Sequence, residues 1–163
     1  MYPQQFIKVN FITKLFNSPK VDCPRCLGKG HVDRHDIKRL QKELRWVPGP
    51  CAYCNGTGKV AKKMLAKVSV DNAYLTMGLP EEERKRVINN DAGALQRAEL
   101  FEIQFNDFIK QVEYLHFKGN LEAYKIVEFY LIPKTGSEIS SKERAEFIDH
   151  IERIIENRKE KNN

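Results

Sequence analysis

The sequence lacks most of the motifs that would announce an activity. It contains no P-loop, no G-x-G-x-x-G dinucleotide fingerprint, no H-E-x-x-H pair and no nucleophile elbow. The enzyme classes that those motifs mark are therefore not written in it, and the chain is expected to be non-enzymatic. No apolar run approaches the roughly 20 residues of a membrane-spanning helix, so no membrane role is expected. The opening stretch, MYPQQFIKVNFITKLF, has neither a continuous apolar core nor a small-residue cleavage site. A secretory leader is thus not expected, and the expected compartment is the reducing cytoplasm. Cysteine is scarce, with four among 163 residues, and there is a single tryptophan. In a reducing compartment, so few thiols point to metal or redox chemistry rather than to a disulfide framework.

Charge is abundant but unevenly placed. Residues 1–70 carry 14 Lys+Arg against 4 Asp+Glu, whereas 71–163 carry 14 against 18. Such a step implies two regions with different surfaces and different partners. The basic stretch across 34–67, with Arg25, Trp46 and Tyr53 near it as stacking candidates, makes nucleic acid one candidate partner.

The apolar spacing gives a coarse architecture. Residues 5–16 fit strand and helix patterns equally and are read only as an ordered arm. Asp33 or Asp36 can cap a helix with Ile37, Leu40 and Leu44 on one face, ended by Pro48-Gly49-Pro50. Pro80 followed by Glu81, Glu82 and Glu83 suits a helix start, with a break near Asn89-Asn90. From Gly93 to about Phe117, the residues Phe101, Phe105, Phe108, Val112 and Leu115 step by four and three, as a helical seam does. Lys118-Gly119-Asn120 signals a turn. Leu121, Tyr124, Val127 and Leu131 continue as a second helix ended by Pro133, and KTGSEIS reads as a loop. Ser140 or Ser141 can cap a last helix with Ala145, Ile148, Ile151 and Ile155 inward, and a polar tail that frays.

All four cysteines fall in one repeated phrase. CPRCLGKG at 23–30 returns as CAYCNGTG at 51–58, and Val32 falls on Val60 in the same shift of 28. Two thiolates three residues apart on a tight turn can both reach one ion, and two such turns supply a closed tetrahedral sulfur site. Cys23, Cys26, Cys51 and Cys54 are therefore the expected metal ligands, with one structural Zn2+ as the expected cofactor. Gly28, Gly30, Gly56 and Gly58 would let the backbone turn back and aim N–H groups at the sulfurs. The two copies imply a pseudo-twofold axis through the metal, with Val32 and Val60 ending two short strands that pair beside it. His31 and His35 lie near the first turn but are read as surface residues, because four sulfurs already fill the site.

The repeat C-x-x-C-x-G-x-G resembles that of the DnaJ-type cysteine-rich zinc-finger family. The resemblance covers 23–30 and 51–58 and is compatible with a module from 21 to 60. In that family each zinc takes two repeats, which here implies one zinc on Cys23, Cys26, Cys51 and Cys54. No His-Pro-Asp tripeptide occurs, so the J-domain signature is missing. The nearest role that the resemblance implies is that of an assembly factor or holdase.

The resulting expectation is a mainly α chain with a small zinc-stapled β-knuckle module, and a C-terminal helical bundle or hairpin stack. The divisions are an arm at 1–20, the zinc module at 21–60, a connector at 61–80 and a helical domain at 81–163. The expected function is protein interaction, as a chaperone-like or assembly adaptor acting on a protein partner or client. Two alternatives stand beside it. One is a nucleic-acid-binding zinc protein, and the other is a thiol-disulfide oxidoreductase using the C-x-x-C pairs. The oligomeric state is not legible.

Overall fold

A computed structural model describes residues 18–131 and 139–162 of the chain. The arm at 5–16 and most of the loop at 134–140 lie outside the described residues. Two compact units divide the chain, Met1–Ala98 and Glu99–Asn163. Helices dominate, and the strands are short antiparallel pairs in the first unit.

In the first unit, β1 (Lys20–Asp22) and β2 (His31–Val32) flank the first cysteine turn, and β3 (Gly49–Pro50) and β4 (Lys59–Ala61) flank the second. β1 pairs with β4, with Val21 opposite Val60, and β2 pairs with β3, with Val32 opposite Gly49. This corrects the expectation that the Val32 and Val60 strands pair with each other. Under a twofold relation, the strand leaving one turn meets the strand entering the other, so both valines face the centre from separate ladders. Both are buried.

α1 (Arg34–Arg39) is shorter than the spacing of Ile37, Leu40 and Leu44 predicts. Asp33 caps it through a reciprocal capping box with Asp36. It ends in a Schellman turn. Gln41 takes a left-handed φ of 55°, the Gln41 N–H donates to the Lys38 carbonyl, and the Lys42 N–H donates to the Ile37 carbonyl. Ending the helix there turns the chain so that Trp46 is buried and donates its indole N–H to the Ala73 carbonyl at 3.2 Å. Tertiary burial of an aromatic outweighs a few more residues of helix.

The stretch read as a connector, 61–80, contributes to the first unit's core. A 3-10 turn (Lys62–Ala66) follows β4, and Met64, Val68 and Leu75 join the buried cluster around the cysteines. α2 (Glu81–Ile88) starts after Pro80, as expected, and Asn90 ends it in a left-handed turn. The Asp91 carboxylate accepts from the Ala94 N–H at 3.0 Å, starting α3 (Ala92–Phe117). Glu83 accepts both arms of the Arg97 guanidinium, at 2.7 and 2.8 Å, tying α2 to the first turns of α3.

The second unit holds the rest of α3, then α4 (Ala123–Leu131) and α5 (Ser141–Lys161). Val112, Ile126, Val127, Ile151, Ile154 and Ile155 are buried. Phe105 and Phe108 of the expected seam are half-buried in an aromatic cluster with Tyr130, Phe147 and His150. Ala145, expected inward, is exposed. It lies six residues from Ile151, about 120° off the buried face at 100° per residue. The tail expected to fray is helical through Lys161, with basic residues suiting the negative end of the helix dipole.

Candidate metal centre

The two cysteine turns are built alike, hydrogen bond for hydrogen bond. The Gly28 N–H donates to the Cys23 carbonyl at 3.1 Å, and the Gly56 N–H to the Cys51 carbonyl at 3.0 Å. The Lys29 N–H donates to the Cys26 carbonyl, and the Thr57 N–H to the Cys54 carbonyl, at 3.0 and 3.1 Å. The turns are then cross-linked by reciprocal bonds, Cys23 N–H to Gly58 carbonyl (2.8 Å) and Cys51 N–H to Gly30 carbonyl (2.9 Å). Each member of a pair lies 28 residues from its counterpart, as the repeat does.

Gly30 and Gly58 sit at the crossing. Both have left-handed φ, 78° and 75°, and a β-carbon on either would stand 2.5 or 2.2 Å from a carbonyl oxygen of the other turn. No larger residue fits that approach. The freed geometry aims their amides at sulfur. The Gly30 N–H donates to Cys26 Sγ at 3.3 Å, and the Gly58 N–H to Cys54 Sγ at 3.2 Å. Amide donors of this kind stabilise thiolate more than thiol.

The four sulfurs form one buried cluster. Cys23 Sγ and Cys51 Sγ are 3.8 Å apart, as are Cys26 Sγ and Cys54 Sγ, and all four lie within 4.8 Å of one another. These separations are far beyond a disulfide bond of about 2.05 Å. They match instead the edge of a sulfur tetrahedron, which is about 3.8 Å when metal–sulfur bonds are about 2.3 Å. The hydrogen bond with Cys23, then burial, push the Cys51 thiol up, and burial pushes the Cys26 thiol up. Four thiolates at this spacing need a cation among them. The cluster fits a metal ion. Among the described residues the ligand atoms grouped there come from the four cysteines alone, and His31 and His35 are exposed.

Asp33, His35 and Asp36 form a second group, but its carboxylates are already engaged. Asp36 is fully buried, closes the capping box, and accepts from Lys29 at 2.7 Å and Arg39 at 3.3 Å.

Arg25, Trp46 and Tyr53, expected to offer stacking faces, point into the protein. Arg25 is 2% exposed, Tyr53 1% and Trp46 7%. The guanidinium of Arg25 lies 4.3 Å from the Trp46 ring centroid. It donates to three carbonyls, those of Val70 (2.8 Å), Leu75 (2.7 Å) and Asn72 (2.9 Å). Burial lowers its pKa to about 10, partly offset by the Cys51 and Cys23 sulfurs, so it stays charged at neutral pH. The Tyr53 hydroxyl donates to the Val68 carbonyl at 2.7 Å. This clasp on 68–75 was missed from sequence. Its signal was present, because Arg25 and Tyr53 fill the same slot of the two repeats.

A groove of about 330 Å³ opens beside the second turn. Trp46, Val47, Pro48, Pro50, Leu75 and Met77 line it. Val47 and Met77 stand out from it, at 73% and 40% exposure.

Compared with known proteins, the chain matches no family model, no curated protein and no solved structure. The likeness to the DnaJ-type finger therefore rests on the residues of the two repeats. No helix among the described residues is long and apolar enough to cross a membrane.

Proposed function

We propose that this chain is a non-enzymatic protein-interaction protein stapled by one structural Zn2+, acting as a chaperone-like or assembly adaptor. The cluster of four buried sulfurs carries the zinc assignment. Soft thiolates in a closed set of four suit Zn2+, and they leave no open position for a reacting water. Zinc would supply rigidity, holding the two turns so that a partner meets a preformed surface rather than a loose loop. Support for the binding role comes from the groove. Its apolar lining is fastened by the same Arg25–Trp46–Leu75 network that closes the metal unit. The burial of all four sulfurs argues against a redox dithiol, which needs an accessible thiol.

Elemental analysis of the purified chain should give one zinc per molecule, with no free thiol reactivity until the metal is removed. The loaded chain should suppress light scattering by a heat-denatured model enzyme, and Val47→Asp with Met77→Asp should abolish that while zinc is retained. Absence of suppression by the loaded parent chain would overturn the adaptor reading. Retention of RNA or DNA that falls steeply with salt would transfer the role to the nucleic-acid alternative, which the exposed Lys62, Lys63 and Lys67 favour.

A further inference from the structure

Helix α3 carries an apolar stripe that the rest of the described chain does not cover. Leu100, Ile103, Tyr114 and Phe117 are 50%, 51%, 67% and 40% exposed. Asp107 and Lys110 lie between them, paired at 3.7 Å and largely solvent-facing. At 100° per residue all six fall within an arc of about 100°, which makes one face of the helix. Scattered exposed apolar residues need no explanation, but these are ordered.

The order is palindromic. Taken about the midpoint between Phe108 and Ile109, Leu100 mirrors Phe117, Ile103 mirrors Tyr114, and Asp107 mirrors Lys110. A twofold axis at that midpoint, perpendicular to the helix, would set two copies of α3 antiparallel. Leu100 of one copy would then lie against Phe117 of the other, and Ile103 against Tyr114. Each Asp107 would face the other copy's Lys110. An isologous dimer requires such self-complementarity, in which residue i meets j and j meets i. Had the two charges shared a sign, the same axis would set repulsive pairs at the centre. Gln104 and Gln111 beside the stripe are uncharged, and the exposed Glu99, which falls within the same arc, mirrors Lys118 just past the helix end, so the palindrome again sets opposite charges against each other. A lipid surface would instead favour Lys and Arg rows along the stripe.

We infer that the α3 face Leu100–Ile103–Asp107–Lys110–Tyr114–Phe117 is a homodimer interface, paired antiparallel with a second copy of this chain. The contact would run about 26 Å, from the rise of 1.5 Å per residue over the 17 steps from Leu100 to Phe117. The four apolar side chains supply the attraction, and the central charge pairs set the register and orientation.

Sedimentation velocity of the full, zinc-loaded chain over a concentration series tests this. A reversible dimer is expected. Asp107→Lys alone and Lys110→Asp alone each place like charges opposite one another twice. Each should weaken the dimer by about tenfold, because two facing pairs change sign together. The double variant Asp107→Lys/Lys110→Asp should restore it, since opposite charges face each other again. Both positions are exposed, so far-UV circular dichroism should be unchanged. Mild oxidation of the Ile103→Cys/Tyr114→Cys double variant should yield cross-linked dimer, and Ile103→Cys alone should not. A monomer at every concentration overturns the inference. So does a dimer indifferent to either single charge reversal, or equal cross-linking by Ile103→Cys alone.

Discussion

Arg25 and Tyr53 stand in the same slot of the two cysteine turns, 28 residues apart, and both grip one segment. The guanidinium donates to the carbonyls of Val70, Asn72 and Leu75, and the hydroxyl donates to that of Val68. The metal unit is thus wider than its cysteine repeats, because the segment 68–75 is tied to the residues between the ligands. Arg25→Lys cannot reproduce a planar fork reaching three carbonyls. It should destabilise the metal unit by on the order of 3 kcal/mol, and Tyr53→Phe by about 1 kcal/mol. Denaturant melts followed by Trp46 fluorescence would measure both. An Arg25→Lys midpoint equal to that of the parent chain would remove the clasp from the account.

The glycines of the repeat should not be equal. Gly58→Ala drives a β-carbon to 2.2 Å from the Gly28 carbonyl oxygen, whereas at Gly56 the nearest atom, the Gly30 carbonyl oxygen, would be 3.9 Å away in ordinary contact, and only the left-handed φ of 76° opposes a side chain. Gly56→Ala should cost about 1–2 kcal/mol. Gly58→Ala should cost more and should weaken zinc retention as well, because its amide is displaced from Cys54 Sγ. Competition with a chromophoric chelator would rank the two variants, and equal ranks would contradict the crossing geometry.

Metal removal has a built-in reporter. The chain has one tryptophan, and Trp46 is buried in the metal unit. Chelation should shift its emission to the red as the first unit loosens, since small metal-stapled modules fold with their ion. The helical signal from α4 and α5, in the second unit, should largely persist. Cys26→Ser or Cys54→Ser should reproduce the red shift without a chelator. Unchanged emission in fully metal-free protein would mean that zinc is not the staple.

His150 should make the second unit sensitive to acid. Its ring stacks on Phe108 at 6.2 Å and an interplanar angle of 4°, and lies 6.0 Å from the Phe105 ring. Arg153 Nη2 approaches its Nδ1 at 3.5 Å, which sets a fixed positive charge beside the ring. Burial, then Arg153, lower its pKa below the usual 6.5, and Asp149 partly opposes them. A base with a depressed folded pKa binds fewer protons folded than unfolded. Its stabilising preference for the neutral form therefore holds above pH 6.5 and is lost as pH falls below that value. Thermal melts at pH 7.5 and pH 5 should differ in the parent chain, and His150→Gln should reduce the difference. A midpoint independent of pH would show that the imidazolium is accommodated.

What could be read from sequence alone is what a few neighbouring residues decide. The four ligands and their glycines lie within two stretches of eight residues, and turn chemistry there is local, so Cys23, Cys26, Cys51 and Cys54 were legible as one cluster. The same holds for the caps at Asp33 and Ser140 and the break at Asn89-Asn90, each a hydrogen bond between residues a turn apart. Tertiary structure alone decided the rest. Strand pairing followed the twofold axis, so Val32 and Val60 lie on separate ladders. The 61–80 stretch became core because Arg25, Tyr53 and Trp46 had buried donors to satisfy, and its carbonyls were within reach. Ala145 faces solvent because the buried face of α5 is set by which residues meet α4. These outcomes are competitions between groups far apart in the chain, for burial and for hydrogen-bond partners. Local pattern identifies the competitors, and only their packing together selects the winners.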